Sequence, residues 1–347
     1  MNKRILRLPI AALLLGLVST QTVAQEKMDY WRDASGLLQE QSRLLFDQSY
    51  AVLDKHRPSP TPSDERKLAL FALDALLHDT RLDTGEALFR YMDGVGKRVL
   101  RGLDTEVGAG ETRVHRLYNQ AAIVQTPQVT IAFDLVRGGI GKRLFFSDSL
   151  MQAIVDRCDI LFVSHEHGDH ADLAVARMFN DQGKEVIVPT GLWEGQLPSI
   201  IPMRENRLEA RPLSLKKKGV TLDVAVFPGH QDKVANNVYI VTTPTKKTIV
   251  HTGDQSNAGD VPRLAEISRQ RQVDILLAHC WMRPMEQIVN GIDPALVILG
   301  HENEMGHTID HREAYWLTFR RIARLTHPAV VMAWGEYIDV NDADSAD

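Results

Sequence analysis

The chain has 347 residues, 44% of them hydrophobic and 24% charged, with 15 Pro and 23 Gly. That make-up excludes a disordered polymer, a collagen-like repeat and a polytopic membrane protein, and the length suffices for a full core without disulfides. Lys and Arg number 40 against 45 Asp and Glu, a net charge of −5. No basic run exceeds Lys216-Lys217-Lys218, so the chain is ill suited to holding a nucleic-acid backbone.

Met1 to Ala24 reads as a secretory leader. Lys3, Arg4 and Arg7 give a positive start, Leu8 to Val18 an apolar run, and Thr22-Val23-Ala24 the small residues of a cleavage site. The run is too short to span a bilayer as a helix. Cleavage after Ala24 and a periplasmic or secreted mature protein are therefore expected. From about 25 to 110 the pattern is helical. Leu37, Leu38, Leu44, Leu45 and Tyr50 fit one helix face. Pro58-Ser59-Pro60-Thr61-Pro62 ends that helix, because proline lacks a donor and biases its predecessor away from helix. Ser63 is the predicted N-cap of a second helix with an apolar stripe of Leu68, Phe71, Ala72, Ala75 and Leu76. A third helix is predicted over Thr84 to Leu100.

Beyond Val107-Gly108-Ala109-Gly110 strand formers take over. His115–Val124 and Val129–Leu135 flank Thr126-Pro127-Gln128 and predict a hairpin. Strand-like runs follow at Ile160–Val163, Val186–Val188, Val224–Phe227, Val238–Thr242, Thr248–His251, Ile275–Ala278, Leu296–Leu299 and Val330–Ala333. Helical patterns at Leu173–Phe179 and Pro262–Arg269 lie between them. Such alternation over residues 111–340 predicts an α/β domain with layered sheets, and 341–347 reads as a disordered tail. Cys158 and Cys280, the only cysteines, each adjoin an apolar run and read as buried thiols.

The chemistry concentrates in Ser164-His165-Glu166-His167-Gly168-Asp169-His170, directly after an apolar strand. In extended chain, residues two apart point the same way, so His165 and His167 can address one ion. Gly168 permits a turn, after which Asp169 and His170 can face a second ion. Imidazole nitrogen with carboxylate oxygen suits zinc, iron or manganese. One loop cannot fill two metal shells. Further candidates are His230, Asp254 and His301, each at the end of an apolar run and each preceded by Gly.

The order His-x-His-x-Asp-His, a strand-end His, a Gly-Asp and a final Gly-His resembles the metallo-β-lactamase-fold hydrolase superfamily. Within it, the chain is similar to the branch of L-ascorbate-6-phosphate lactonase and related phosphodiesterases and lactonases, over roughly Arg113 to Val340. Asp134 matches a carboxylate that the family places behind its metal site, and Val330 to Glu336 resembles its last strand and Gly-Glu. The resemblance implies a four-layer αββα sandwich with the site at one edge. His165, His167 and His230 would hold one divalent ion; Asp169, His170 and His301 the other; Asp254 would bridge. Zinc is the expected metal, with manganese or iron as alternatives.

The implied activity is hydrolysis of an ester, lactone, amide or phosphodiester in a small molecule by metal-activated water, with Asp169 holding the nucleophile and relaying its proton. A β-lactamase shares the leader and first motif, but the family places a bridging carboxylate like Asp254 in the lactonase branches. A single-iron persulfide dioxygenase and a non-catalytic metal-binding protein are the readings from other classes. His279 rivals His301 as the last ligand, His307 is a candidate pocket residue, and His251 is expected to orient neighbours behind Asp254. Glu166 reads as a surface carboxylate. Trp281, Met282 and Met285 read as substrate wall or plain packing. The helical segment could cap the site, mediate a homo-oligomer or pack on a sheet.

Overall fold

The structure, a computed structural model, describes residues 34–204 and 207–341. The predicted leader and all of the predicted tail but Asn341 lie outside the described residues. Three helices come first, α1 (Ala34–Leu53), α2 (Asp64–Leu77) and α3 (Glu86–Leu103). Ser63 caps α2 as predicted, its hydroxyl accepting from the Arg66 amide at 3.3 Å. Two predicted faces are rotated. Helix α1 buries Ser42, Phe46, Ser49, Tyr50 and Leu53 and leaves Leu44 and Leu45 exposed. Helix α2 buries Arg66, Ala69, Leu70, Leu73, Asp74, Leu76 and Leu77, so Leu76 of the predicted stripe is inside while Leu68 is 67% exposed. Two charged residues face inward there because each has its partners inside. Arg66 grips Glu336 through Nη1–Oε1 at 2.8 Å and Nη2–Oε2 at 2.6 Å, and donates to the Val331 carbonyl at 2.9 Å.

Then come β1 (Thr112–Arg116), β2 (Ala122–Gln125), β3 (Thr130–Phe133), a small hairpin of β4 (Gly139–Ile140) and β5 (Arg143–Leu144), and α4 (Asp148–Arg157). Next are β6 (Ile160–Phe162), α5 (Leu173–Asp181), β7 (Glu185–Val188) and β8 (Ile200–Pro202). The second half holds β9 (Arg207–Leu215), β10 (Val220–Gln231), β11 (Val234–Thr242), β12 (Thr248–His251), α6 (Val261–Leu264) and α7 (Ile267–Gln270). It ends with β13 (Val273–His279), α8 (Met285–Ile292), β14 (Pro294–Gly300), α9 (Tyr315–Ile322), β15 (Ala329–Val330) and β16 (Tyr337–Val340).

One seven-stranded sheet runs β16-β1-β2-β3-β6-β7-β8 and a second runs β15-β14-β13-β12-β11-β10-β9. Their facing sides share one core that includes Phe133, Phe162, Tyr239, Ile249, Ile275 and Ile298. Buried Val175 and Phe179 of α5 cover the outside of the first sheet, and α4, with Ile154 and Val155 buried, packs against α5 and α3. Leu264, Ile267, Ile288 and Ile292 of α6 to α8 pack in a second cluster with Ile240, Val250 and Leu276 of the second sheet. The architecture is the expected αββα sandwich, preceded by helices.

The predicted hairpin is present, with Gln125 opposite Thr130. The run His115–Val124 is not one strand, because β1 ends at Arg116 and the chain turns through Asn119 at φ 57° before β2 begins. Pro262–Arg269 divides into two short helices, and only Ala329–Val330 of the last apolar run joins a sheet. Both cysteines are buried and free. No helix among the described residues is long and apolar enough to cross a membrane.

Candidate metal centre

Strand direction decides where the candidate residues meet. β3 and β6 are parallel, as are β12, β13 and β14, so the loops that follow them leave on one edge of each sheet. Asp134 follows β3, the His165–His170 turn follows β6, Asp254 follows β12 and His301 follows β14. At that edge Asp169, His170, Asp254 and His301 bring one ligand atom each to within 4.8 Å of one another. His170 Nε2 lies 3.1 Å from Asp169 Oδ2 and 3.2 Å from Asp254 Oδ2. His301 Nε2 lies 3.4 Å and 3.3 Å from the same two oxygens. His165 adds its Nε2 at 4.0 Å from Asp254 Oδ2.

The backbone is shaped to allow this convergence. Gly253 has φ 50°, and a Cβ there would strike the side chains of Asn236 and Ser164, so only glycine brings Asp254 this close. Asn236 Oδ1 in turn accepts from the Asp254 amide at 3.0 Å. Asp134, fully buried, accepts from the Ser164 amide at 2.7 Å, from Ser164 Oγ at 2.6 Å and from His170 Nδ1 at 2.8 Å. A carboxylate only accepts, so His170 carries a proton on Nδ1, and Nε2 is the nitrogen that would give a lone pair to an ion in place of its own proton.

Whether a cation fits can be judged from unspent polar atoms. The Nε2 atoms of His165, His170 and His301 and Oδ1 of Asp254 are buried without a hydrogen-bond partner. Leaving such atoms unmatched is costly unless a ligand takes them. Charge agrees. Burial and the nearby His170 push His165 down to about 3. Burial also opposes charge on His301, yet Asp254 and Asp169 outweigh it and raise the imidazole to about 10. His170 is raised for the same reason, and Asp254 is held well below the carboxylate range by both imidazoles. Two carboxylates thus draw protons onto two histidines, a role that a divalent ion fills with the lone pairs left free.

The other predicted residues are more scattered. His167 packs edge-on against His165, ring centroids 4.7 Å apart. His230 is not in the group of four: its Nδ1 lies 3.1 Å from Asp260 Oδ2 and its Nε2 3.5 Å from Arg204. His279 is buried, burial lowers it to about 4, and its Nε2 donates to the Gln255 carbonyl at 2.9 Å. His251 stacks on Phe133 with its Nε2 3.8 Å from Asp134. Glu166 is exposed, and Met282 and Met285 belong to the core. Trp281 stands edge-on to His301, centroids 5.7 Å apart. It lines a cavity of about 570 Å³ with Gln231, Arg283, His307 and His311.

Sequence reading missed three polar contacts. Asn119 donates to Asp169 Oδ2 at 2.8 Å, Gln231 donates to Asp254 Oδ2 at 3.0 Å, and Asp260 faces His230. Asn119 lay inside a presumed strand; the Asn-Gln pair there was the available turn signal.

No family model matches the chain, and no curated protein matches it either. Solved structures do. A metallo hydrolase from the hyperthermophilic archaeon Ignicoccus hospitalis superposes with a TM-score of 0.51 at 17% identity, covering 67% of this chain and 99% of that one. A possible metal-dependent hydrolase from Veillonella parvula gives 0.49 at 15% identity over 65% of this chain and 98% of that one. A diiron β-hydroxylase from Streptomyces venezuelae gives 0.48 at 12% identity, over 68% of this chain and 55% of that one. The first of these likenesses establishes a shared fold.

Proposed function

We propose that the protein is a metal-dependent hydrolase of the metallo-β-lactamase fold that acts on a small-molecule ester, lactone, amide or phosphodiester. One observation carries this reading: the Nε2 atoms of His170 and His301, buried without a hydrogen-bond partner, converge with carboxylate oxygens of Asp169 and Asp254, and the equally unpartnered Nε2 of His165 lies 4.0 Å from Asp254 Oδ2. Asp169, His170 and His301 would hold one ion, His165, His167 and His230 the other, with Asp254 between them; zinc is the first choice. Bound divalent ions would acidify a water molecule and polarise the scissile carbonyl or phosphoryl group.

The residues of this chain do the rest. Asp169 is the only member of the cluster of four that is not buried, so it alone can exchange a proton with an entering molecule. Asn119 fixes that carboxylate from behind. Trp281 and Arg283 offer the cavity an aromatic wall and a cation for substrate positioning. Asp254 favours the lactonase and phosphodiesterase branch over a β-lactamase, and the leader favours action outside the cytoplasm.

The test is metal quantification on purified protein, followed by a panel of lactones, phosphodiesters, thioesters and nitrocefin with and without a chelator. Two ions per chain and chelator-sensitive turnover of a lactone or phosphodiester are expected. Metal-loaded protein inert toward the whole panel would refute the assignment; selective nitrocefin turnover would transfer it to the β-lactamases.

A further inference from the structure

The loop that follows β14 carries His301 at its start and the cavity residues His307 and His311 further on. Two of its anchors come from the N-terminal helical segment. Asp74 of α2, 6% exposed, accepts from Asn303 Nδ2 at 2.9 Å, from the Tyr315 amide at 2.8 Å and from the Trp316 amide at 3.1 Å. The same carboxylate therefore holds the loop two residues after His301 and caps α9, where the loop ends. A second anchor lies beside it. Arg312 donates to both oxygens of Asp83, at 2.9 and 2.8 Å, to the Leu77 carbonyl at 2.8 Å and to the His307 carbonyl at 3.1 Å.

The backbone explains why anchoring is needed. His301 has φ 71°, a left-handed conformation that a residue of its kind avoids unless its surroundings over-determine it, and Asn303 follows at φ 55°, which Asn tolerates. The contacts that pin this stretch include the His301 amide on the Asn119 carbonyl at 3.1 Å, Glu302 4.0 Å from Arg116, the Met305 amide on Tyr118 Oη at 2.8 Å, the Asn303 amide on the Glu313 carbonyl at 2.9 Å, and Asn303 Nδ2 on Asp74. Only the last of these comes from the N-terminal helices.

We propose that Asp74 is a positioning residue for the metal centre: through Asn303 it sets the His301 imidazole against Asp169 and Asp254, which makes α2 a working part of the site. The proposal rests on the reading of His301 as a metal ligand. Arg66 supplies the comparison, since it lies on the same helix and is also buried but clamps the segment at Val331 and Glu336 instead.

The experiment titrates the metal-free full-length protein and its variants with zinc against a chromophoric chelator, with unfolding temperature measured in parallel. D74A should weaken zinc binding about 10-fold, the lower end of the loss seen when a group bonded directly to a ligand is removed, because Asp74 acts through Asn303. D74N keeps an oxygen for Asn303 and Tyr315 and should return to within about threefold of the parent. R66M should lower the unfolding temperature at least as much as D74A yet bind zinc within about twofold of the parent. N303A removes the same tether from the loop side and should repeat the D74A loss, which keeps the test open should D74A fail to fold. Unchanged affinity in N303A or D74A, or equal weakening in R66M, would overturn the proposal. If the parent protein itself takes up no zinc, the metal reading fails and the positioning role falls with it. Tight parent binding with an unaffected N303A removes the positioning role alone.

Discussion

Replacing Asp134 by Asn tests the logic of the metal centre with almost no change in shape. The left-handed backbone at this position, φ 47°, is one that Asn tolerates well. The native carboxylate accepts three hydrogen bonds of 2.6 to 2.8 Å, from Ser164 N, Ser164 Oγ and His170 Nδ1. Asn has one acceptor oxygen and an NH2 that only donates. With its oxygen kept on the Ser164 amide, the NH2 group faces His170 Nδ1. The imidazole then moves its proton to Nε2, the atom that lies 3.1 Å from Asp169 and 3.2 Å from Asp254, and the lone pair aimed at the ion is lost. Outer-layer changes of this kind cost about 10- to 100-fold in metal affinity, or about 1.4 to 2.7 kcal/mol. Metal-free stability should fall by about 1 to 3 kcal/mol from the mismatched donors. Zinc competition titration and denaturant unfolding of the metal-free protein read the two effects separately. A folded D134N that binds zinc within twofold of the parent would refute the tautomer argument.

Other perturbations probe the frame around the site. G253A should lose at least about 1 kcal/mol of stability from the left-handed backbone alone. Its Cβ would also push Asp254 away from its partners, so zinc affinity should fall as well; normal affinity in a folded G253A would show that the close approach is unnecessary. R66M should destabilise the protein by about 3 to 5 kcal/mol in denaturant unfolding, because it strands a buried Glu336, and the added change Glu336→Met should recover part of that loss. His115 is buried and pushed down to about 4, so the folded protein binds fewer protons than the unfolded chain between about pH 4 and 6.5. Its contribution is therefore complete above 6.5 and lost on acidification, amounting to about 3 kcal/mol at pH 4. H115N should flatten the stability–pH curve over that interval, and an unaltered slope would show that His115 does not titrate there.

The residues that meet at the sheet edge were legible because apolar strands are easy to read and their ends are marked by glycine and polar residues. His165 to His170, Asp254 and His301 all lie at such places. Periodicity failed on α2 for an equally physical reason. It weighs apolar side chains, so it turned Leu68 inward, whereas Arg66 and Asp74 are buried by partners more than 220 positions later, at Glu336, Asn303 and Tyr315. No local pattern carries that information. Asn119 was hidden likewise, since strand formers surround a turn whose use appears only once Asp169 is packed beside it. His230 has its partner Asp260 thirty positions later, a pairing that local sequence does not reveal.

The Arg66–Glu336 clamp also orders events in time. A ribosome or export channel releases Arg66 long before Glu336, so an emerging chain must keep that guanidinium hydrated until the last strand arrives. Closure of a loop spanning nearly the whole protein is thus among the final acts of maturation. The His301 loop, itself near the carboxyl end, is completed at about the same moment.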